Sequence, residues 1–376
     1  MRLDIGTYAG RTVALNPAAS FNKHLVLTGK SGSGKTVEMQ KIITQLVANG
    51  CTTLAFDFHD IFADDQIFQK YTAAWHEQME CFDAYEDGIS FPYLTPLHHK
   101  DGFKEDQLTV LHALTEILSS GLQFGSRQTA YLFEAITKLC SVESFRLQGI
   151  SALDHILAQY DDSVAIRVRQ KLRPITARNI FRDGRLFIKE SRLNILRLSH
   201  FDLTTQLIAV EIALSVIWRY AIAGAFKDKP LYIAIDECQN LSTAPHSTFL
   251  NLLDEGRKYG VNLLLSTQLL HNHGKRLLEQ HLLQASSLLL FRPADCDVGI
   301  IARRIEPSAV HIWQDQLRTL QCGEFVLVGD YEIGSMHFNT PLKISAYEET
   351  KQSNSAPPTK GSVMLEIKDG RRCSKC

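Results

Sequence analysis

At 376 residues the chain can bury one large core or two modest ones, and its 45% apolar and 22% charged content is that of a globular protein. A formal net charge of −1 removes any bulk-charge argument for nucleic acid or membrane, and the eight scattered cysteines suit reduced thiols better than a disulfide framework. No signal peptide opens the chain, so the expected location is the cytoplasm.

In chain order, the first clear element is HLVLTG, from His24, an apolar run with strand composition. It leads into GKSGSGKT, where Gly29, Gly34, Lys35 and Thr36 match G-x-x-x-x-G-K-[ST] and Gly32 adds a third glycine. TVEMQKIITQLVANG then shows helical periodicity and stops at Gly50. Strand, glycine loop and helix together form a phosphate cradle. The glycines let backbone N–H groups turn toward phosphate oxygens, and the helix N-terminus adds partial positive charge. Lys35 is expected on the β- and γ-phosphates of ATP and the Thr36 hydroxyl on Mg²⁺. The expected binding loop comprises Gly29, Ser31, Gly32, Ser33, Gly34, Lys35 and Thr36.

TTLAFDF reads as the next strand, with Asp57 at its tip as either an acid behind the metal shell or plain loop chemistry. An irregular stretch to about Lys104 follows, holding DGISFPYLTPL. Helical patterns come next in EDQLTVLHALTEILSS, SRQTAYLFEAITKL, ALDHILAQY and SVAIRVRQKLRPI. From Arg167 to Arg192, nine basic residues face only Asp183 and Glu190; a subunit interface, DNA phosphates or a solvated helical face all fit. LNILRLS returns to strand character. The apolar run from Leu207 contains Glu211 and Arg219, which favours a buried helix over a membrane span.

PLYIAIDECQNL is an apolar strand ending in Asp236-Glu237. One acid at such a tip can hold the Mg²⁺ shell, and a second can deprotonate an attacking water. FLNLLDEGRKYGVNLLLSTQ reads as a helix through Lys258, a stop at Gly260, a strand Val261–Leu265 and a polar tip in which Gln268 is placed to sense a γ-phosphate. Beyond about Tyr347 the composition predicts a disordered tail. Its Cys373 and Cys376 form a C-x-x-C with no second pair for a zinc site, His59, His98 and His99 lack a metal spacing, and His24 is expected to pack.

The Gly29–Thr36 motif (Walker A), the strand ending in Asp236-Glu237 (Walker B) and EGRKYGVNLLLSTQ together resemble the HerA/FtsK superfamily of hexameric DNA-pumping ATPases, in the branch of HerA and the type IV secretion and conjugation ATPases. LAFDFHDIF resembles the family's strand and D-P-H-G-E-Y segment. LLLFRPADCDVGIIARRI and LQCGEFVLVGD resemble its last core strands. The resemblance spans roughly residues 1–345. It implies an α/β fold with a RecA-like P-loop NTPase core, a central mostly parallel sheet flanked by helices, and an inserted helical subdomain. The segments would be 1–104 with Walker A, 105–190 as the insertion, 191–346 with Walker B and the sensor, and 347–376 as the tail.

The same resemblance assigns roles: Lys35 to phosphate, Thr36 and Asp236 to Mg²⁺, Glu237 to activating water and Gln268 to sensing the γ-phosphate. It puts Arg257 near a neighbouring subunit's nucleotide. Lys23 falls where relatives often carry a second trans-acting arginine, and a lysine lacks the bidentate fork. Relatives usually have an N-terminal β-barrel or membrane helices before the cradle; only a short segment precedes His24, so a motor core without membrane insertion, targeted by a partner, is expected. The implied function is a hexameric ring that hydrolyses ATP with Mg²⁺ and translocates DNA, working with a nuclease or other DNA-processing or defence partner. Energising protein secretion or complex assembly is the alternative, and a nucleotide-gated scaffold with little turnover is a third reading.

Overall fold

The computed structural model describes residues 1–17, 23–63, 77–244, 247–268 and 276–346. The tail, with Cys373 and Cys376, lies outside the described residues. The strands are β1 (Leu3–Tyr8), β2 (Arg11–Leu15), β3 (Leu25–Thr28), β4 (Thr52–Asp57), β5 (Met79–Asp83), β6 (Ile89–Phe91), β7 (Phe181–Asp183), β8 (Leu193–Arg197), β9 (Leu231–Ile235), β10 (Val261–Thr267), β11 (Ser287–Phe291), β12 (Glu324–Gly329), β13 (Tyr331–Ile333), β14 (Met336–Phe338) and β15 (Leu342–Ser345). The helices are α1 (Lys35–Ala48), α2 (Gln107–Gly121), α3 (Ser126–Ser141), α4 (Glu143–Gln148), α5 (Ala152–Leu157), α6 (Ser163–Thr176), α7 (Leu203–Ile222), α8 (Thr248–Glu255), α9 (Arg276–Leu282), α10 (Asp295–Ile305) and α11 (Val310–Thr319).

Every residue of β3, β4, β9, β10 and β11 is buried, the pattern of parallel strands covered on both faces. They lie side by side in one sheet of order β14-β13-β2-β1-β15-β12-β11-β3-β10-β9-β4-β8-β5. From β11 to β5 all pairings are parallel; from β11 through β12 to β14 they are antiparallel. The parallel part, from β11 to β5, is the central sheet of a mixed α/β P-loop NTPase core.

Period-two alternation sorts the side chains to two cores. Leu25 and Leu27 of β3, Ala55 of β4, Ala234 of β9 and Leu264 of β10 pack with Met39, Ile42, Ile43 and Leu46 of α1. Val26, Leu54, Phe56, Ile233, Leu263 and Leu265 face the other way, onto α7 and the helices between residues 107 and 176. Aspartates start three of those helices. Asp106 caps α2 by accepting from Thr109 N–H, Asp162 caps α6 through Val164 and Ala165, and Asp202 caps α7 through Thr205.

Helix α7 is long and apolar enough to cross a membrane, yet 61% of its apolar window is buried inside the fold. Its two charges are used internally. Glu211 Oε1 accepts the Ser242 N–H at 3.0 Å, and Arg219 binds Glu105 and the carbonyl oxygens of Pro92 and Thr95. Apolar composition here records depth in the core, as the two charges suggest.

The stretch before Lys104 departs from the irregular reading. β5 pairs parallel with β8 and extends the main sheet, while β6 pairs with β7 in a small second sheet. Both strands are short and partnered by residues more than ninety positions away, so local pattern carries little of the signal. Helix α4 likewise fills a gap between the expected helices.

Candidate active site

The carboxyl ends of β3, β9 and β10 converge on one cleft. It is lined by Ser31, Gly32, Gly34, Lys35, Thr36 and Val37 from the loop and α1, by Asp236 and Glu237 after β9, by Gln268 after β10, and by Cys322. Gly29 and Ser33 build the floor of the loop and do not line the cleft. Gly29 N–H donates to Thr267 O at 3.2 Å, Lys30 N–H to Arg292 O at 2.9 Å, and Gly323 N–H to Ser33 O at 2.9 Å. Three separate segments thus strap the loop down.

Its backbone requires glycine at two positions in particular. Gly34 has φ 106°, and a Cβ there would sit 3.1 Å from Gly323 N. A Cβ on Gly29 would lie 2.7 Å from the Phe291 Cβ. Both positions demand left-handed backbone and close approach at once.

Lys35 is 6% exposed, and its Nζ donates to the carbonyl oxygens of Gly29 (2.6 Å) and Lys30 (3.1 Å). Burial pushes its pKa down, and the charges of Asp236 and Glu237 oppose that shift. Thr36 Oγ1 donates to Asp236 Oδ2 at 3.5 Å. Two hard oxygen donors at that separation fit a divalent cation such as Mg²⁺.

Glu237 occupies left-handed backbone at φ 52°, uncommon for a residue with a side chain. Its N–H donates to Asp236 Oδ1 at 2.9 Å, which ties the two acids together at the strand tip. Gln268 Nε2 donates to Glu237 Oε1 at 2.6 Å. On the other oxygen, Oε2 accepts from Asn240 Nδ2 at 3.4 Å and lies 3.6 Å from His59 Nε2. The sequence pointed to Glu237 and Gln268. It placed His59 in the LAFDFHDIF segment without giving it a role, and it did not point to Asn240 or Cys322. The available signal for His59 was its place just past the tip of β4, the neighbour of β9.

Asp57 has a different job from holding metal. It is fully buried, and its carboxylate accepts the N–H groups of His59, Ile61 and Phe62 at 3.3, 2.9 and 3.3 Å. Burial raises its pKa, against these hydrogen bonds. It builds the turn that carries His59.

Arg257 lies away from this cleft. It sits in the single turn Gly256–Tyr259, just before β10, and its charge acts on His24 at the start of β3. The seven-residue strand β10 separates that end from the cleft by roughly 20 Å. Lys23 shares the Arg257 end, near Cys51, whose pKa burial raises and the Lys23 charge only partly offsets.

Much of the basic segment 167–192 is engaged within the fold. Arg169 pairs with Asp154, Lys189 and Arg192 with Glu80, Arg178 stacks over the Tyr85 ring, and Lys171 donates to the carbonyls of Leu122 and Gln123.

Residues 3–215, more than half of the chain, match the family described as the central domain of the helicase HerA. The chain belongs to the HerA central-domain family. It is a P-loop ATPase of the HerA type. A search of the curated proteins found no match. Among solved structures, VirB4 of Thermoanaerobacter pseudethanolicus superposes with a TM-score of 0.68 at 13% identity, over 93% of this chain and 96% of that one. The plasmid coupling protein TrwB, in complex with ADP and Mg²⁺, gives a TM-score of 0.55 at 12% identity, over 88% of this chain and 86% of that one. At these identities the likeness is one of fold, and it extends beyond the end of the HerA match at residue 215.

Proposed function

We propose that this HerA-family chain hydrolyses ATP with Mg²⁺ at the cleft, as one subunit of a cytoplasmic hexameric ring that translocates DNA in concert with a nuclease or another DNA-processing or defence partner. Within the subunit, residues 105–190 form a helical insertion on the motor core. The convergence of the Lys35–Thr36 loop with Asp236, Glu237 and Gln268 is the observation that supports the chemistry.

The backbone N–H groups of the loop bind phosphate, and Lys35 neutralises the β- and γ-phosphates. Thr36 and Asp236 would hold the Mg²⁺, which would supply charge neutralisation on the phosphate oxygens. Glu237 takes a proton from the attacking water, and Gln268 orients toward the γ-phosphate. Arg257, some 20 Å from its own cleft by the length of β10, serves the cleft of the adjacent subunit. A closed ring gives each cleft such an arginine.

DNA threads the ring and is gripped through phosphates, without base reading. The exposed basic residues of 167–192 outside the internal pairings, Arg167, Arg173, Arg182 and Arg185, are its first contacts. Net charge near zero and the internal pairing of the rest of that segment favour a second reading, in which the cargo is protein and the ATPase energises secretion or assembly.

The ATPase rate measured against added duplex and single-stranded DNA, with oligomer mass alongside, tests the proposal. ATP-stabilised hexamers stimulated by DNA at low salt, with the stimulation lost as salt rises, are expected. A strict monomer with ATP and DNA contradicts the ring. A hexamer indifferent to every DNA form transfers the assignment to protein cargo.

A further inference from the structure

The loop after β4 is built with unusual investment for a surface turn. Asp57, with no exposure, fastens three of its N–H groups. Gln40 of α1, the helix of the cradle, donates Nε2 to Ile61 O at 2.6 Å. Gln206 of α7 donates to Phe58 O at 3.3 Å. Asp60, itself at φ 56°, is held by Ser199 Oγ at 2.8 Å and Arg197 Nε at 3.3 Å. Four elements therefore fix a turn whose one outward polar ring is His59.

That ring is 58% exposed and still meets Glu237, with its Nε2 3.6 Å from Oε2. Asn240 reaches the same oxygen from the turn that follows Glu237. The Glu237 side chain is 27% exposed, and Gln268 Nε2 already donates to its other oxygen, Oε1, at 2.6 Å. Asn240 donates to Oε2 and the His59 ring stands against the same oxygen, so two separate elements restrict it.

We propose that His59 is a positioning residue for Glu237. Together with Asn240 it pins Oε2, so that the carboxylate keeps one orientation toward the cleft during turnover. The proposal rests on Glu237 being the base that activates water. Misplacing a catalytic group by an ångström costs up to about 100-fold in rate, so even partial freedom of this carboxylate should register in kcat.

Steady-state ATPase of the full chain at saturating Mg²⁺, with fluorescent-nucleotide binding measured in parallel, tests it. His59→Ala should lower kcat about tenfold. KM for ATP and nucleotide affinity should stay within about twofold, as for a group acting only on the chemical step. His59→Gln, which restores a donor of similar reach, should recover most of the loss. Added to Glu237→Gln, His59→Ala should change the residual rate by less than about twofold, because residues acting through one another are not additive. Wild-type kcat in His59→Ala beside an inactive Glu237→Gln overturns the positioning role, as does a full further loss in the double variant or a loss confined to nucleotide binding. Near-normal turnover in Glu237→Gln overturns the base assignment and this inference with it.

Discussion

Thr36 and Asp236 stand 200 positions apart in the chain and meet through Thr36 Oγ1 and Asp236 Oδ2 at 3.5 Å. The meeting follows from sheet order. β3 and β9 both flank β10, all three run parallel, and their carboxyl ends fall at one edge. A hydroxyl and a carboxylate so placed offer two hard oxygens to the proposed Mg²⁺. Thr36→Val keeps the side-chain shape and removes the oxygen. It should raise the Mg²⁺ concentration for half-maximal ATPase at least about tenfold, the scale seen when even outer partners of a metal are lost. A titration of rate against Mg²⁺ checks this, and an unchanged midpoint removes Thr36 from the metal site.

The position of Arg257 leads to a complementation experiment. Arg257→Ala and Glu237→Gln should each be inactive, since arginine fingers contribute roughly 10³–10⁵ in rate and general bases 10²–10⁴. Mixed rings should recover part of the activity where an intact arginine faces an intact base. Mixtures that exchange subunits and stay inactive make Arg257 a local charge near His24 instead.

His24 carries a pH dependence of stability. It is 1% exposed, and its Nδ1 accepts the Leu263 N–H at 3.0 Å. Burial, aided by the charge of Arg257, pushes its pKa down from 6.5 to about 4. The unfolded chain therefore binds the extra proton first. Stability is complete above pH 6.5 and falls as the pH drops toward 4, by about 3 kcal/mol from this group. Denaturant unfolding of His24→Asn, compared with the parent between pH 7 and pH 4, should show a flatter decline. Parallel curves would exclude His24 as the titrating group.

What the sequence made legible was local or chemically constrained. The strand–loop–helix of the cradle announces itself through Gly29, Gly34, Lys35 and Thr36, because few residues can make that backbone. Asp236, Glu237 and Gln268 were legible because acids and amides at the ends of apolar strands have few structural reasons to be there. β5 was not, since Met79–Asp83 is half-exposed, lacks β-branched residues and exists through its pairing with β8. The contact of His59 with Glu237 was not legible either. It depends on β4 and β9 being neighbours, and on a turn held by Gln40 and Gln206 from two helices.

Gly260 tests the geometry that aims β10. It has φ 80°, and a Cβ there would lie 1.9 Å from Phe226 O, while its own carbonyl accepts the Leu231 N–H at 2.9 Å. Gly260→Ala should destabilise the fold by about 3 kcal/mol or more, combining left-handed strain with a backbone clash. Thermal unfolding measures it; a melting temperature equal to the parent's contradicts the tight approach of the segment after α7 to the start of β10.

The central claim is that Glu237 supplies the base in a cleft that otherwise binds nucleotide through Lys35 and its loop. Single-turnover hydrolysis of ATP by Glu237→Gln, with nucleotide affinity determined on the same sample, tests it most directly. Affinity close to the parent's, with hydrolysis slowed at least about 100-fold, is the predicted result. Hydrolysis at a near-parental rate with affinity intact would contradict it.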